Sequence, residues 1–264
     1  MNPNIIGVAT SVSKNVNYDP IDTLQFSLQY NIKFIQIYLN ENIIFNKSKI
    51  EKIRTIAYQN DKVIICHSPY FLNENAISKT MISAAIDIMY FQKEKNIIFH
   101  FDERENLADS IEYIKILNNR GLSVYVENFY QNNNEISFIN NTNKYNCLLI
   151  LSKYHNISAF PVIDFPRLFI SPIVKHFDSL FICKQLCDLV VELDLPTIIH
   201  IIDFTNFNQN RNCWCALGNG LMPFSEIFSF IKKKRCLIDH VMLEFEDKRM
   251  FLDSVSVIQK MYNS

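Results

Sequence analysis

Residues 122–128 read LSVYVEN, a short run of aliphatic and aromatic side chains that follows Gly121 and ends on Glu127 and Asn128. Its length and its β-branched valines are typical of a buried strand. A buried strand that ends on a carboxylate either emerges into water there or directs the carboxylate at a binding site. The other apolar runs of the chain help to distinguish these two interpretations.

The chain contains seven further apolar runs of strand length. They are NIIGVAT (4–10), KFIQIYL (33–39), KVIICH (62–67), NIIFHF (96–101), FPVIDF (160–165), TIIHIID (197–203) and HVMLEFE (240–246). Amphipathic stretches of helical length lie between the runs and after the last one; examples are residues 20–30, 76–91, 107–117, 144–155, 180–193, 223–234 and 248–262.

Strands that alternate with helices pair in parallel and are covered on both faces. Eight such units predict an α/β fold, a (β/α)8 TIM barrel that forms a single domain over residues 1–264. An open doubly wound sheet is the alternative. Such a sheet usually has a glycine-rich phosphate loop after its first strand, and GVATSVS (7–13) is not one.

Composition disfavours several classes of protein. The 264 residues are 48% hydrophobic and carry 26 basic and 27 acidic side chains, for a net charge of −1. Proteins that bind a phosphate backbone usually have a basic excess, so nucleic acid is disfavoured as a partner. No run reaches the roughly 20 apolar residues that span a membrane, and MNPNIIGVATSV lacks the pattern of a signal peptide. We expect a cytoplasmic protein with mostly reduced cysteines and a small-molecule substrate, and the sequence leaves a homodimer open.

Side chains that can bind a metal follow six successive predicted strands. In a barrel of this kind, functional groups lie at the carboxyl ends of the strands. The third to eighth strands deliver, in order, Cys66 and His67; His100 and Asp102; Glu127; Asp164; His200 and Asp203; and Glu244. Because side chains alternate between the two faces of a strand, each group alone could be solvated. The set from the last four strands predicts one shared metal site with ligands Glu127, Asp164, His200 and Glu244.

The motifs at these strand ends are ICHSPY (65–70), IIFHFDE (97–103), VYVEN (124–128), FPVIDFPR (160–167), IIHIID (198–203), LGNG (217–220) and VMLEFE (241–246). In this order they resemble the xylose isomerase-like superfamily, which contains sugar isomerases and epimerases and the endonuclease IV-type repair enzymes. The resemblance covers essentially the whole chain. It implies that the four predicted ligands bind one divalent ion, as in the epimerases, whereas the repair nucleases add residues that hold three zinc ions.

The chain departs from the patterns of this superfamily at two places. Arg167 stands where many members of the superfamily have a histidine. Asn212 and Trp214 stand in place of the Asp-x-His pair that the nucleases have before the glycine-rich turn. A three-zinc site is therefore incomplete, and we assign His67 and His100 to substrate binding, although both match positions of nuclease ligands.

Three carboxylates and one imidazole form an oxygen-rich site that suits Mn²⁺, Mg²⁺ or Co²⁺ at least as well as Zn²⁺. An ion bound to a carbonyl and an adjacent hydroxyl stabilises an enediolate, and two carboxylates can then remove and return the proton. We assign these catalytic roles to Glu127 and Glu244. The predicted function is a metal-dependent isomerase or epimerase of a sugar, a polyol or a related metabolite.

Four further residues are predicted substrate contacts: Arg167, Asp203, Arg211 and Trp214. Two of them have equally weighted structural alternatives, since Arg167 could pair with a ligand carboxylate and Trp214 could anchor its loop. Trp214 lies between Cys213 and Cys215. A CxC pair without a second pair is a weak metal signal, and we expect neither cysteine to bind a metal.

Three alternatives to this function stay open. A dehydratase would share the enediolate chemistry. A phosphodiesterase or AP endonuclease-like enzyme would require several zinc ions and a basic groove. A reassigned, non-enzymatic barrel in a biosynthetic pathway would bind no metal.

Overall fold

A computed structural model of the chain describes residues 5–129, 135–169, 176–206 and 213–263. Eight parallel strands close into a barrel with helices between them, which confirms the predicted (β/α)8 fold. The barrel strands are β1 (Ile6–Ala9), β2 (Phe34–Tyr38), β3 (Val63–Phe71), β4 (Asn96–Phe101), β5 (Ser123–Asn128), β6 (Ala159–Asp164), β7 (Thr197–Ile201) and β10 (Ile238–Leu243). Strands β1 to β7 follow one another around the barrel, and β10 closes it between β7 and β1. The short strands β8 (Asp203–Phe204) and β9 (Trp214–Cys215) form a separate antiparallel ribbon.

The helices lie between the strands and after the last strand. They are α1 (Pro20–Gln29), α2 (Glu41–Ile44), α3 (Lys47–Gln59), α4 (Lys79–Ile88), α5 (Leu107–Asn118), α6 (Glu135–Tyr154), α7 (Phe165–Phe169), α8 (His176–Glu192), α9 (Phe224–Lys234) and α10 (Lys248–Asn263). Two 3-10 segments, Thr10–Val16 and Glu74–Ile77, precede α1 and α4. Asp19 caps α1 by accepting a hydrogen bond from the amide of Ile21, and Pro20 takes the first helical position.

Several predicted boundaries move at the carboxyl ends of the strands. The seventh predicted strand ends at Ile201, because Asp203 already belongs to the ribbon. The sixth ends at Asp164, because its carboxylate accepts a hydrogen bond from the amide of Arg167 and so caps α7 directly. The eighth ends at Leu243, which places Glu244 just beyond the last barrel strand.

The core has two layers. The larger lies between the barrel and the helices, and the smaller fills the inside of the barrel. The inner cluster has one buried residue from each of six barrel strands: Ile65, Ile98, Tyr125, Val162, Ile198 and Met242. Phe34 from β2 packs against it. These residues show which side of each strand faces inward, which the sequence pattern alone does not reveal.

Candidate functional site

Six of the predicted site residues occupy equivalent positions at the carboxyl ends of their strands. Each lies two residues beyond an inward-facing core residue, and alternate residues of a strand point to the same face. The inward-facing groups at the mouth of the barrel are therefore His67, His100, Glu127, Asp164, His200 and Glu244. Gln36 occupies the same position on β2, two residues after Phe34.

Glu127 lies at the centre of this group, and its side chain is only 1% exposed. Its Oε2 lies 3.0 Å from His67 Nε2 and 3.3 Å from His200 Nδ1. Its Oε1 lies 3.4 Å from His100 Nε2 and 3.2 Å from Arg167 Nε. Burial raises the pKa of Glu127, but the positive charges and hydrogen bonds of His100 and His200 outweigh this and hold it well below the usual value. The strand therefore directs its terminal carboxylate into a buried site rather than into water.

Asp164 is held by Arg167 and by the neighbouring strand. Arg167 Nε lies 2.8 Å from Asp164 Oδ2, and the amide of Arg167 donates to Oδ1. The side-chain amide of Asn128 accepts from the backbone N–H of Asp164 and donates to its carbonyl oxygen. Burial raises the pKa of Asp164 to about 7, against the opposing charge of Arg167 and with repulsion from Glu127 and Glu244.

His200 links Glu127 to Glu244. Its Nδ1 lies 3.3 Å from Glu127 Oε2 and 3.3 Å from Glu244 Oε1, yet has no hydrogen-bond partner among the described residues. Burial lowers the pKa of His200, but Glu244 and Glu127 outweigh it and raise the pKa to about 9. Without a bound cation the imidazole is therefore protonated at neutral pH, and a metal ion would replace that proton.

Gln36 fixes the orientation of this imidazole. Its Nε2 donates to Glu244 Oε1 at 2.8 Å, and its Oε1 lies 2.9 Å from His200 Nε2. A carboxylate can only accept, so the amide nitrogen of Gln36 must face Glu244 and its oxygen must face His200. His200 Nε2 consequently carries a hydrogen, and Nδ1 is the nitrogen left for a ligand in the neutral ring.

His67 shows the same requirement for a cation. Its Nδ1 lies 3.1 Å from the carbonyl oxygen of Ser68, which can only accept, so Nδ1 carries a hydrogen. In the neutral ring Nε2 would then present a lone pair to Glu127 Oε2. A proton on one of these two atoms, or a cation that both of them bind, would remove the repulsion between the two lone pairs. His100 packs its ring 4.7 Å from that of His67, and burial lowers the pKa of His100.

The donor atoms fit a metal ion. Two groups have ligand atoms within 4.8 Å of one another, namely Glu127 with Asp164 and His200, and Glu127 with His67 and His100. The first group is three of the four predicted ligands. The fourth, Glu244, touches His200 and is 25% exposed. Nδ1 of His200, which has no hydrogen-bond partner among the described residues, faces the carboxylates of Glu127 and Glu244, as expected of a metal ligand.

The described contacts do not support the predicted substrate role of Asp203. Its carboxylate is buried and accepts hydrogen bonds from four backbone amides, those of Phe204, Gly218, Gly220 and Met222. Four donors use the acceptor capacity of a carboxylate, so Asp203 has none left for a substrate. Asp203 instead holds the loop after the ribbon. Sequence alone cannot distinguish the two roles, because nearly every residue has a backbone amide and the sequence does not show which of them approach Asp203.

The other predicted contacts divide between the mouth and the loop. Arg167 pairs with two predicted ligands, which is the structural alternative, while its side chain stays partly exposed. Trp214 is half-buried and packs against Phe204 at 6.4 Å between ring centroids, so it anchors the ribbon; its substrate contact stays a prediction. Arg211 and Asn212 lie outside the described residues. Neither Cys213 nor Cys215 forms a disulfide with another described residue, and burial raises the pKa of Cys215 to about 11.

Sequence reasoning missed two features of the mouth. One is Gln36, because it is neutral and β2 delivers no charged group. The other is an aromatic wall of Phe71 and Phe129, whose rings meet edge to face at 5.1 Å and flank His100. Both residues are apolar neighbours of the motifs and carry no chemical signal on their own. Elsewhere, in the part of the chain that the structure describes, no helix has the length and apolar character needed to cross a membrane.

Comparison with known proteins supports the fold. No family model matches the chain, and no curated protein matches its sequence. A D-tagatose 3-epimerase-like protein matches with a TM-score of 0.64 at 13% identity, over 98% of this chain and 97% of that one. The IolI protein with a binding zinc atom gives 0.63 at 12% identity, over 97% and 96%. A xylose isomerase domain protein from Planctomyces limnophilus gives 0.62 at 11% identity, over 97% and 96%. The chain therefore has the xylose isomerase-like TIM-barrel fold, as the motifs at its strand ends imply.

Proposed function

We propose that the protein is a divalent-metal-dependent isomerase or epimerase of a sugar, a polyol or a related small metabolite. One observation carries this proposal: the buried Nδ1 of His200 lacks a hydrogen-bond partner among the described residues and faces the carboxylates of Glu127 and Glu244. The epimerase-like and zinc-bearing structural neighbours support the same class.

The donor set defines what the metal would contribute. The proposed ligands are Glu127, Asp164, His200 and Glu244. Three carboxylates and one imidazole favour Mn²⁺, Mg²⁺ or Co²⁺, with Zn²⁺ as the alternative. When bound, such an ion would polarise a carbonyl and the neighbouring hydroxyl, and so would make the C–H bond of the hydroxyl-bearing carbon more acidic.

The proton transfer falls to Glu127 on β5 and Glu244 just after β10, each of which has a carboxylate oxygen 3.3 Å from His200 Nδ1. One carboxylate removes the proton from carbon to give an enediolate. The other returns a proton to the opposite face in an epimerase, or to the neighbouring carbon in an isomerase. Glu244 is partly exposed and Glu127 is buried, so Glu244 is the carboxylate that exchanges its proton with solvent.

Solvent isotope exchange tests this chemistry. We expect the metal-loaded protein in D₂O to place deuterium on the carbon next to the carbonyl of a keto-sugar, detected by NMR over a panel of ketopentoses and ketohexoses. Glu244→Gln should slow exchange by about a hundredfold or more, because it removes a general acid–base. Glu226→Gln on the exposed face of α9 is the matched control and should leave the rate unchanged. Exchange that survives Glu244→Gln at the wild-type rate contradicts the assigned role.

Metal content gives an independent test. Elemental analysis of the purified protein should find about one Mn, Mg or Co per chain, and Glu127→Gln should lose that metal, since Glu127 belongs to both ligand groups. A chain that binds no divalent ion would instead support a reassigned barrel without this activity.

A metal-dependent phosphodiesterase is the second candidate, and one observation favours it. His67, His100 and Glu127 form a second group of metal-capable atoms that shares Glu127 with the first. Two ions joined by one carboxylate could clamp the attacking and leaving oxygens of a phosphodiester. Two or three zinc ions per chain, together with hydrolysis of bis(p-nitrophenyl) phosphate, would establish this activity over the first.

A further inference from the structure

Arg167 uses only one edge of its guanidinium to hold the site. Its Nε contacts Asp164 Oδ2 at 2.8 Å and Glu127 Oε1 at 3.2 Å. The two terminal nitrogens, Nη1 and Nη2, make no hydrogen bond to any described residue. The side chain is 32% exposed, so a ligand that enters the mouth of the barrel can reach it from solvent.

The aromatic wall restricts the plane of this guanidinium. Arg167 Cζ lies 4.0 Å from the centroid of the Phe129 ring, a close cation–π contact. Phe129 is in turn packed against His100 and Phe71. With Nε tied to two carboxylates and one face resting on a ring, the guanidinium has little freedom to rotate. Its terminal donors are thus preorganised, which lowers the entropy lost when a ligand binds.

A fixed pair of terminal guanidinium nitrogens has a specific chemical complement. Parallel N–H groups match the two oxygens of a carboxylate or a phosphate, and such bidentate charge-assisted contacts are among the stronger hydrogen bonds in proteins. A neutral sugar hydroxyl would accept from only one of these donors and would carry no negative charge to pair with the guanidinium. The same guanidinium touches Glu127, so an anion bound to its terminal nitrogens lies beside the proposed proton-transfer site.

We propose that Arg167 forms an oxyanion subsite and that the substrate carries a carboxylate or a phosphate close to its reactive carbon. This inference rests on the proposed function for the chemistry at that carbon, but anion binding by Arg167 is independent of it. An anionic sugar acid or sugar phosphate would place its charged group on the terminal nitrogens of Arg167, along the wall formed by Phe71 and Phe129. A neutral ketose would lack this anchor and bind more weakly.

Calorimetry with inorganic phosphate, D-gluconate and neutral sorbitol tests the subsite. Titrations use both metal-loaded and chelator-treated protein, because a bound metal could itself attract an anion. We expect one of the anions, and not sorbitol, to bind in both forms. Arg167→Gln should weaken that binding roughly ten- to hundredfold by removing charge-assisted hydrogen bonds. The response to phosphate against gluconate identifies the anion class.

Arg54→Gln is the matched control. Arg54 also stacks on aromatic rings, those of Tyr90 and Phe91, but it lies on α3, away from the site residues at the mouth. Its replacement should leave anion binding unchanged. Arg167→Lys keeps the charge without the paired donors and should recover only part of the affinity. Circular dichroism and metal content of the Arg167 variants show whether the fold and the metal site persist.

Two outcomes would overturn the subsite: neither anion binds the wild-type protein, or Arg167→Gln binds it as tightly as the wild type does. If neutral ketoses still exchange deuterium at the wild-type rate in Arg167→Gln, the proposed function stands without the anionic substrate. If anions bind through Arg167 and no substrate exchanges, the subsite stands and the proposed isomerase chemistry fails.

Discussion

Gln36 illustrates how a neutral side chain can set the chemistry of charged ones. One end of its amide donates to Glu244 and the other accepts from His200. This pairing leaves Nδ1 of His200 directed towards Glu127 and Glu244, where a metal ion would take the place of the imidazole proton. Residues that orient a ligand in this way are worth a large part of the metal affinity.

We therefore expect Gln36→Met to weaken metal binding by roughly ten- to a hundredfold. Methionine keeps the apolar length of the side chain but neither donates to Glu244 nor accepts from His200. Competition with a chromogenic chelator measures the affinity directly. The control is Gln25→Met on the exposed side of α1, which should bind the metal as the wild type does. Equal affinities for the wild type and Gln36→Met would show that His200 is oriented without Gln36.

At the level of single residues, the sequence predicts the charged groups of the site but not the neutral side chain, Gln36, that orients them. Glu127, Asp164, His200 and Glu244 are recognisable because they are ionisable and follow consecutive strands, and the structure brings them together. The inward direction of each side chain is not recognisable, because it depends on the inner core residue two positions earlier. Gln36 satisfies that same spacing after Phe34, so the spacing would have found it once the inner face was known.

Among the elements, the loop after the ribbon depends on one buried carboxylate and one glycine. Asp203 accepts from three backbone amides of this loop, those of Gly218, Gly220 and Met222, and from the amide of Phe204 in the ribbon. A Cβ at Gly220 would overlap the Asp203 carboxylate and lie 2.5 Å from the carbonyl oxygen of Phe204, well inside contact distance. The loop can approach Asp203 this closely only because position 220 has no side chain.

Gly220→Ala should consequently destabilise the protein by about 2 kcal/mol, as expected of overpacking at a site that cannot relax. Gly121→Ala is the comparison, because Gly121 has φ +79° but open space around it, so only backbone strain of about 1 kcal/mol opposes the methyl group. Urea denaturation of both variants measures the difference. A larger loss for Gly121→Ala would mean that the contact with Asp203 is not tight.

The elements themselves were largely predictable, and the exceptions have physical causes. Alternation of apolar runs with amphipathic stretches predicted all eight barrel strands, because the hydrophobic period and the length of each run can be read from the sequence without knowledge of the tertiary structure. The helix α7 was not predicted, because it begins directly after β6 and is capped by the carboxylate of Asp164, a group that the sequence presents as a metal ligand. The motif around Asp164 indicates its predicted role as a metal ligand but not its role as the cap of α7.

Across the whole molecule, the inside of the barrel changes from apolar to charged along its axis. His240 and Met242 on β10, and Glu244 just after it, alternate with outward-facing neighbours, so this segment runs from the apolar interior to the charged mouth of the barrel. His240 packs its ring 4.1 Å from that of Phe34, and its Nδ1 has no hydrogen-bond partner among the described residues. Burial lowers the pKa of His240 from 6.5 to about 4.

This shift predicts acid sensitivity of the fold. The unfolded chain binds a proton at His240 below its ordinary pKa of 6.5, whereas the folded protein resists it until about pH 4. Stability is therefore complete above pH 6.5 and falls as the pH drops from 6.5 towards 4, by up to roughly 3 kcal/mol from this residue. We expect His240→Gln to flatten the dependence of unfolding free energy on pH across that window.

Chemical denaturation at about pH 4.5 and about pH 7.5 makes the comparison. His155→Gln, at an exposed position after α6, should keep the wild-type dependence. Because other groups titrate in the same range, the difference between the two variants is the informative quantity. Identical slopes for His240→Gln and the wild type would show that His240 takes up its proton equally well in both states.

The hydrogen bond from Gln36 to Glu244 joins positions 208 residues apart. It lies between the second strand of the barrel and the residue that follows the last one, so the contact forms only when the barrel closes. A nascent chain that has left the ribosome as far as β7 already contains Glu127, Asp164 and His200. It still lacks Glu244 and therefore the hydrogen bond from Gln36 to Glu244. Binding of an ion by all four proposed ligands would therefore be coupled to closure of the barrel, and such an ion present during refolding would stabilise the closed barrel relative to intermediates that lack β10.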